Sequence, residues 1–122
     1  PENRHIVNAE SISKMKDGVV IINTARGGHV KSADLRDALV SGKVAAAGLD
    51  VFEHEKSLIR KDLSGSIIKD AVYRDLANFP NVIITPHVAF NTDIAVQNMV
   101  KMSTENLISF KNAGTTDNEI TK

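Results

Sequence analysis

Apolar positions change period several times along this chain, and each change marks an element. Between Asn8 and Lys16 a capping residue, an acidic first turn at Glu10, and apolar Ile12 and Met15 three apart predict a short helix. Val19, Val20, Ile21 and Ile22 then form an unbroken β-branched run, the pattern of a strand buried on both faces. It ends in the loop Asn23-Thr24-Ala25-Arg26-Gly27-Gly28. Ser32 is expected to cap a second helix, with Asp34 in its first turn, Leu35, Ala38 and Leu39 along one face, and Gly42 as its stop. Val44 to Leu49 reads as a second strand of small apolar residues and runs into Asp50.

From Glu55 to Asn81 the pattern is longer, charged and irregular, which predicts a surface excursion with a short helix from Asp70 to Leu76. Val82 to Thr85 is a third apolar run, expected to be a buried strand, stopped by Pro86 and followed by His87. Thr92 caps the longest predicted helix, which runs to Lys111. Ile94, Ala95, Met99, Met102 and Leu107 recur there near the helical period, which makes both methionines core residues by spacing. The polar tail from Gly114 is expected to fray. Helices alternating with strands over short loops are the signature of parallel βαβ units, so the fold class is α/β with a parallel sheet. No repeat, low-complexity tract or Pro/Gly-rich linker divides the chain, so residues 1–113 read as one body followed by the tail 114–122.

Composition narrows the function classes. With 42% apolar and 25% charged residues, a chain of 122 residues can bury one ordinary core. Its 15 basic side chains balance 15 acidic ones, leaving no clustered positive charge for a nucleic-acid backbone or an anionic membrane, so neither partner is expected. The longest apolar run, Gly18 to Ile22, falls far short of the roughly 20 residues a membrane-spanning helix needs. The absence of cysteine excludes disulfide staples and thiolate metal sites and is compatible with a reducing cytosol, so a cytoplasmic location is expected. The chain opens at Pro1 and not at Met, which suggests a fragment from which an N-terminal portion is missing.

In an open parallel sheet, ligands bind outside the carboxyl ends of the strands, where loops converge. Strand one ends in Arg26, strand two runs into Asp50 and Glu55, and strand three ends in His87, so these residues are expected to meet on one edge. An arginine on a glycine-flanked loop can fork two donors onto a carboxylate, which suits an organic acid. A carboxylate beside a histidine favours imidazolium and suits proton exchange with a carbonyl oxygen; hydride chemistry would need a cofactor, since no side chain supplies a hydride.

Plainer roles exist for each residue. A lone arginine near a strand end is more often a surface ion-pair partner than a substrate clamp, and a histidine after a proline can be a hydrogen-bonded cap. Glu53, His54 and Glu55 could be a solvated charge run, Asp50 a turn cap, and His5 and His29 have no partner assignable from sequence. A metal site from His54, Glu55 and His87 is disfavoured, because no ligand pair has i, i+4 spacing.

The words around these residues resemble the D-2-hydroxyacid dehydrogenase family over nearly the whole chain. Lys14 to Gly28 resembles its strand and arginine loop, Gly48-Leu49-Asp50-Val51-Phe52-Glu53 its second signature, and Asn81-Val82-Ile83-Ile84-Thr85-Pro86-His87 its histidine strand. Arg26 and Glu55 are 29 positions apart and Glu55 and His87 are 32 apart. That spacing, with the long excursion including Lys61-Asp62-Leu63-Ser64-Gly65, is similar to the family's D-lactate branch. The resemblance implies the C-terminal part of a Rossmann-type NAD-binding domain with a long C-terminal helix. It further implies NADH-linked reduction of a 2-oxo acid such as pyruvate to the D-2-hydroxy acid, with D-2-hydroxyisocaproate as a neighbouring possibility. Catalytic roles would fall to Arg26 on the substrate carboxylate, His87 as acid/base and Glu55 as its orienter. Asn3, Thr24, Ala25, Arg26 and Asp50 match positions that contact NAD, with Asp50 near the nicotinamide amide.

No G-x-G-x-x-G turn occurs in these residues, so the pyrophosphate cradle of such a domain is absent and the fragment alone is expected to be inactive. The apolar face of the last helix suggests self-association as a homodimer. Some relatives act as corepressors with the dinucleotide as a conformational ligand, and the same Arg, Glu and His set would serve a non-catalytic interaction protein of that kind.

Overall fold

A computed structural model describes residues 2–58 and 62–120. Three strands, β1 (Val19–Asn23), β2 (Val44–Leu49) and β3 (Val82–Ile84), pair in parallel in the order β1-β2-β3. Helix α1 (Ala9–Ser13) precedes β1, α2 (Ser32–Val40) and α3 (Ala71–Asn78) lie between successive strands, and α4 (Asp93–Ala113) follows. The parallel α/β class expected from the alternating pattern is the one observed.

Local chemistry accounts for the boundaries. Asn8 and Ser11 form a reciprocal capping box that starts α1, and Asp70 accepts the Tyr73 N–H to start α3. Helix α2 ends as Gly42 takes φ +78, the left-handed conformation that suits glycine. Its start differs from expectation. Lys31, not Ser32, is the N-cap and makes no side-chain cap; instead the Ser32 N–H donates to the Glu53 carboxylate at 3.2 Å. A residue 21 positions away thus supplies the missing acceptor.

The core lies on one face of the sheet. Leu35, Ala38 and Leu39 of α2, spaced i, i+3, i+4, pack with Ile21, Val44, Ala47, Leu49, Phe52 and the fully buried Leu76 of α3. The β1–β2 register slips between Val19 and Val20, which lets Val44 and Ala47, three apart, both face inward. The other face corrects an expectation. Val20, Ile22 and Ile83 are 56%, 73% and 71% exposed, so these 122 residues by themselves cover β1 and β3 on one face only. The helices that cross between these strands pack together on a single side, and an unbroken apolar run does not reveal which side is covered.

Residues 1–88 and 89–122 form two compact units. In the second, Thr92 caps α4 by accepting the Ala95 N–H, and Gly114 ends it at φ +71. Met99 and Met102, expected in a core, are instead exposed. Nor does the tail fray over 114–120: Asn106 Oδ1 accepts from Thr116 and Asn118, and the Ser109 hydroxyl donates to the Thr115 carbonyl. A polar tail following a left-handed glycine turns back onto the amides and hydroxyls of the helix it has just left. Pro1, Thr121 and Lys122 lie outside the described residues, as does Lys61 of the excursion motif.

Candidate active site

The loops after β1, β2 and β3 share the carboxyl edge of the sheet, and buried polar residues at the ends of β1 and β2 shape the first and the third. Asn23 closes the first: its Oδ1 accepts the Ala25 N–H at 3.1 Å and its amide donates to the Arg26 carbonyl at 2.9 Å. This turn leaves Thr24, Ala25 and Arg26 exposed. Arg26 enters no ion pair among the described residues, its Nη1 donating only to the adjacent Ala25 carbonyl. Gly27 then passes so close to the second loop that a Cβ there would lie 2.0 Å from the Phe52 carbonyl oxygen.

Asp50, buried at the end of β2, governs the third loop. Its Oδ1 accepts from the Thr85 hydroxyl and the Val88 N–H, while its carbonyl accepts the His87 N–H at 2.8 Å. His87 is held at φ +57, a left-handed conformation that costs a non-glycine residue about 1 kcal/mol and persists only where surroundings impose it. The outcome is a pair: His87 Nδ1 meets Glu55 Oε1 at 3.1 Å, and the other Glu55 oxygen accepts the Phe52 N–H at 3.2 Å. Both side chains remain partly accessible, at 33% and 19%.

Arg26 and Glu55 line one cavity of about 430 Å³ together with Phe52, Glu53 and His54. A second cavity, about 310 Å³, is lined by Asn3, Arg4, Arg26, Gly28 and His29, so Arg26 stands between the two. The structure therefore brings Arg26, Glu55, His87, Asn3 and the Thr24-Ala25 turn to one edge. Asp50 reaches the same edge with its carboxylate engaged on Thr85 and Val88.

In the charge run 53–55 each member has a partner, and Glu53 and Glu55 are largely covered while His54 stays exposed. His54 pairs with Asp70 at 3.0 Å, whereas Glu55 pairs with His87. Glu53 accepts from Ser32, from Arg4 and from His5, whose Nε2 lies 2.5 Å away. His5 therefore has a partner that sequence reading did not supply. Asn23 was also missed as a positioning residue; an Asn at the end of an apolar run, before a turn, is a signal that could have found it.

These arrangements can be set beside known proteins. A sequence model described as "D-isomer specific 2-hydroxyacid dehydrogenase, NAD binding domain" matches residues 1–89. The chain belongs to this family. It is 48% identical over 119 residues to a D-lactate dehydrogenase of Lactiplantibacillus plantarum and 47% identical over 118 residues to an aromatic 2-oxoacid reductase of Clostridium sporogenes. The alignments take in 98% and 97% of this chain but 36% of each relative, so the chain spans about a third of their length. A crystal structure of an Aquifex aeolicus D-lactate dehydrogenase complexed with NAD and lactic acid superposes with a TM-score of 0.80 at 37% identity, over 98% of this chain and 38% of that one.

The residues present fit one end of a dinucleotide. Asn3, Arg4 and Arg26 are among the residues that line the smaller cavity, a mostly apolar space with a few polar groups at its rim, whereas no glycine-rich phosphate turn occurs in these 122 residues. Among the described residues no helix is long and apolar enough to cross a membrane.

Proposed function

We propose that this chain is the catalytic-edge portion of an NAD-dependent oxidoreductase that reduces a small 2-oxo acid, pyruvate or a close analogue, to the D-2-hydroxy acid. The observation that carries the reading is the Glu55–His87 pair on the same sheet edge as an exposed arginine that enters no ion pair among the described residues. NADH, when bound, supplies the hydride that reaches the carbonyl carbon. Arg26 forks onto the substrate carboxylate and draws the 2-oxo oxygen into line. With Nδ1 engaged by Glu55, His87 Nε2 is the atom that gives a proton to the carbonyl oxygen and takes it back in the reverse direction. Glu55, itself anchored by the Phe52 N–H, holds the imidazole in that tautomer. Asn3, Thr24, Ala25, Arg26 and Asp50 face the nicotinamide end, with Asp50 also bracing the histidine loop.

These 122 residues alone are expected to give no meaningful turnover, since the phosphate cradle is not among them. Location in the cytoplasm fits the cysteine-free composition, and pairing of two copies fits the exposed Ile94, Val100, Leu107 and Phe110 of α4. The test is NADH oxidation by the full-length protein with pyruvate, phenylpyruvate, 2-oxoisocaproate and glyoxylate. Turnover fastest with pyruvate supports the D-lactate reading. A preference for phenylpyruvate would move it to the aromatic 2-oxoacids, and NADH binding without turnover of any acid would leave a non-catalytic dinucleotide sensor.

A further inference from the structure

We infer that Glu53 is a positioning residue that latches the segment carrying Asn3 onto the Arg26 loop, and thereby sets the width of the cavity between them. This rests on the functional reading above only for what the cavity holds.

The segment 2–8 has little regular structure. Its backbone ties are His5 N–H to the Gly28 carbonyl at 2.8 Å, Val7 N–H to the His29 carbonyl at 3.0 Å and Lys31 N–H to the Val7 carbonyl at 2.9 Å, the last two flanking one bridge between Val7 and Val30. At its centre His5 takes φ +53, so something must hold it against relaxation. Glu53 is placed to do so. Its side chain is 10% exposed, and burying a carboxylate is unfavourable unless donors surround it. Three do, from two separate segments: His5 Nε2 at 2.5 Å and Arg4 Nη2 at 3.4 Å from the Asn3 segment, and the Ser32 N–H at 3.2 Å from the start of α2.

The backbone of the same residue completes the latch. A Cβ on Gly27 would meet the Phe52 carbonyl at 2.0 Å and the Glu53 nitrogen at 2.7 Å, so the Arg26-Gly27-Gly28 turn already rests on the Phe52–Glu53 peptide. Through its carboxylate Glu53 therefore holds His5 and Arg4, the latter lining the 310 Å³ cavity beside Asn3. Through its main chain it meets Gly27, which stands between Arg26 and Gly28 of the same lining. The neighbouring Glu55 faces the other way, toward His87. Loosening Glu53 should widen the cavity without touching the proton-transfer pair.

The experiment compares Glu53→Gln, His5→Gln and the double variant in the full-length protein. Glu53→Gln keeps the shape and an acceptor for Ser32 but removes the charge that holds His5 and Arg4. Two readouts are taken. Amide hydrogen exchange at His5 and Val7, measured without dinucleotide, should speed up about tenfold in either single variant, with the double no faster than the singles, as coupled partners require. Dinucleotide KM should rise about tenfold while kcat stays within about twofold, the split expected of a residue that shapes a pocket and takes no part in chemistry. Unchanged exchange at His5 and Val7, or additive effects in the double variant, would overturn the latch. If exchange responds as expected and the wild-type protein oxidises no NADH with any acid, the latch stands and the oxidoreductase reading falls.

Discussion

Two carboxylate–imidazole pairs lie within a few residues of each other, and they are built alike. Glu53–His5 and Glu55–His87 each join a carboxylate of the loop after β2 to a histidine held at positive φ, +53 and +57, and each carboxylate accepts one backbone N–H, from Ser32 and from Phe52. The difference is what else reaches them. Glu53 also receives Arg4, and His5 spends Nε2 on it. His87 is engaged through Nδ1, which leaves Nε2 out of the pair, and among the described residues no ion pair adds a cation to Glu55. On the reading proposed above, a carboxylate–histidine pair serves as a fastener or as an acid/base according to which nitrogen is engaged and whether a further cation seals it. Residue types alone do not distinguish the two.

Breaking the second pair should have the largest effect. Replacing His87 with Gln removes the proton donor and should lower kcat/KM of the full-length protein about a thousandfold, within the range general acid–base catalysis supplies. A loss under tenfold would assign the acid/base elsewhere. Next is the joint between the pairs. Gly27→Ala places a methyl group 2.0 Å from the Phe52 carbonyl, so the Arg26 loop must move; we expect about a hundredfold lower kcat/KM and about 2 kcal/mol less stability by urea titration. Glu55→Gln leaves His87 a neutral neighbour able to hold the wrong tautomer, and should cost roughly tenfold to thirtyfold in kcat, with substrate KM little changed.

The smallest effect sharpens the comparison from the fastener's side. Burial pushes the Glu53 carboxyl up, yet hydrogen bonds from His5 and Ser32 and the charges of His5 and His54 outweigh it, so it lies below its ordinary 4.5. A carboxyl lowered in the folded state contributes stability that is full above its ordinary value and is lost as pH falls through the folded value. The stability gap between wild type and Glu53→Gln should therefore be full above that ordinary value and close as pH falls through the lower folded value, followed as urea midpoints on both sides of it. Asp70, which burial raises but the Tyr73 N–H and His54 lower further, shares this direction and remains in both proteins. A gap that stays constant with pH would mean that the Glu53 charge does not hold the latch.

Much of this was legible in the residues. Hydrophobic period marked all three strands and four helices to within a few positions, and strand ends marked Arg26, Asp50 and His87 as neighbours, because in a parallel sheet successive strands deliver their carboxyl ends to one edge. The resemblance to a dehydrogenase family added roles that pattern alone could not. What only the tertiary structure decided was pairing and side. Val20 and Ile22 look as buried as Ile21 in the sequence, and coverage depends on where helices dock. Ser32 looks like a cap, but Glu53 reaches its N–H first. Glu53 and Glu55 read as equivalent charges two residues apart, and only the folded loop turns one toward His5 and the other toward His87. Periodicity is a local property of the chain, whereas the partner of a charge is set by contacts 32 to 48 positions away, which no local pattern encodes.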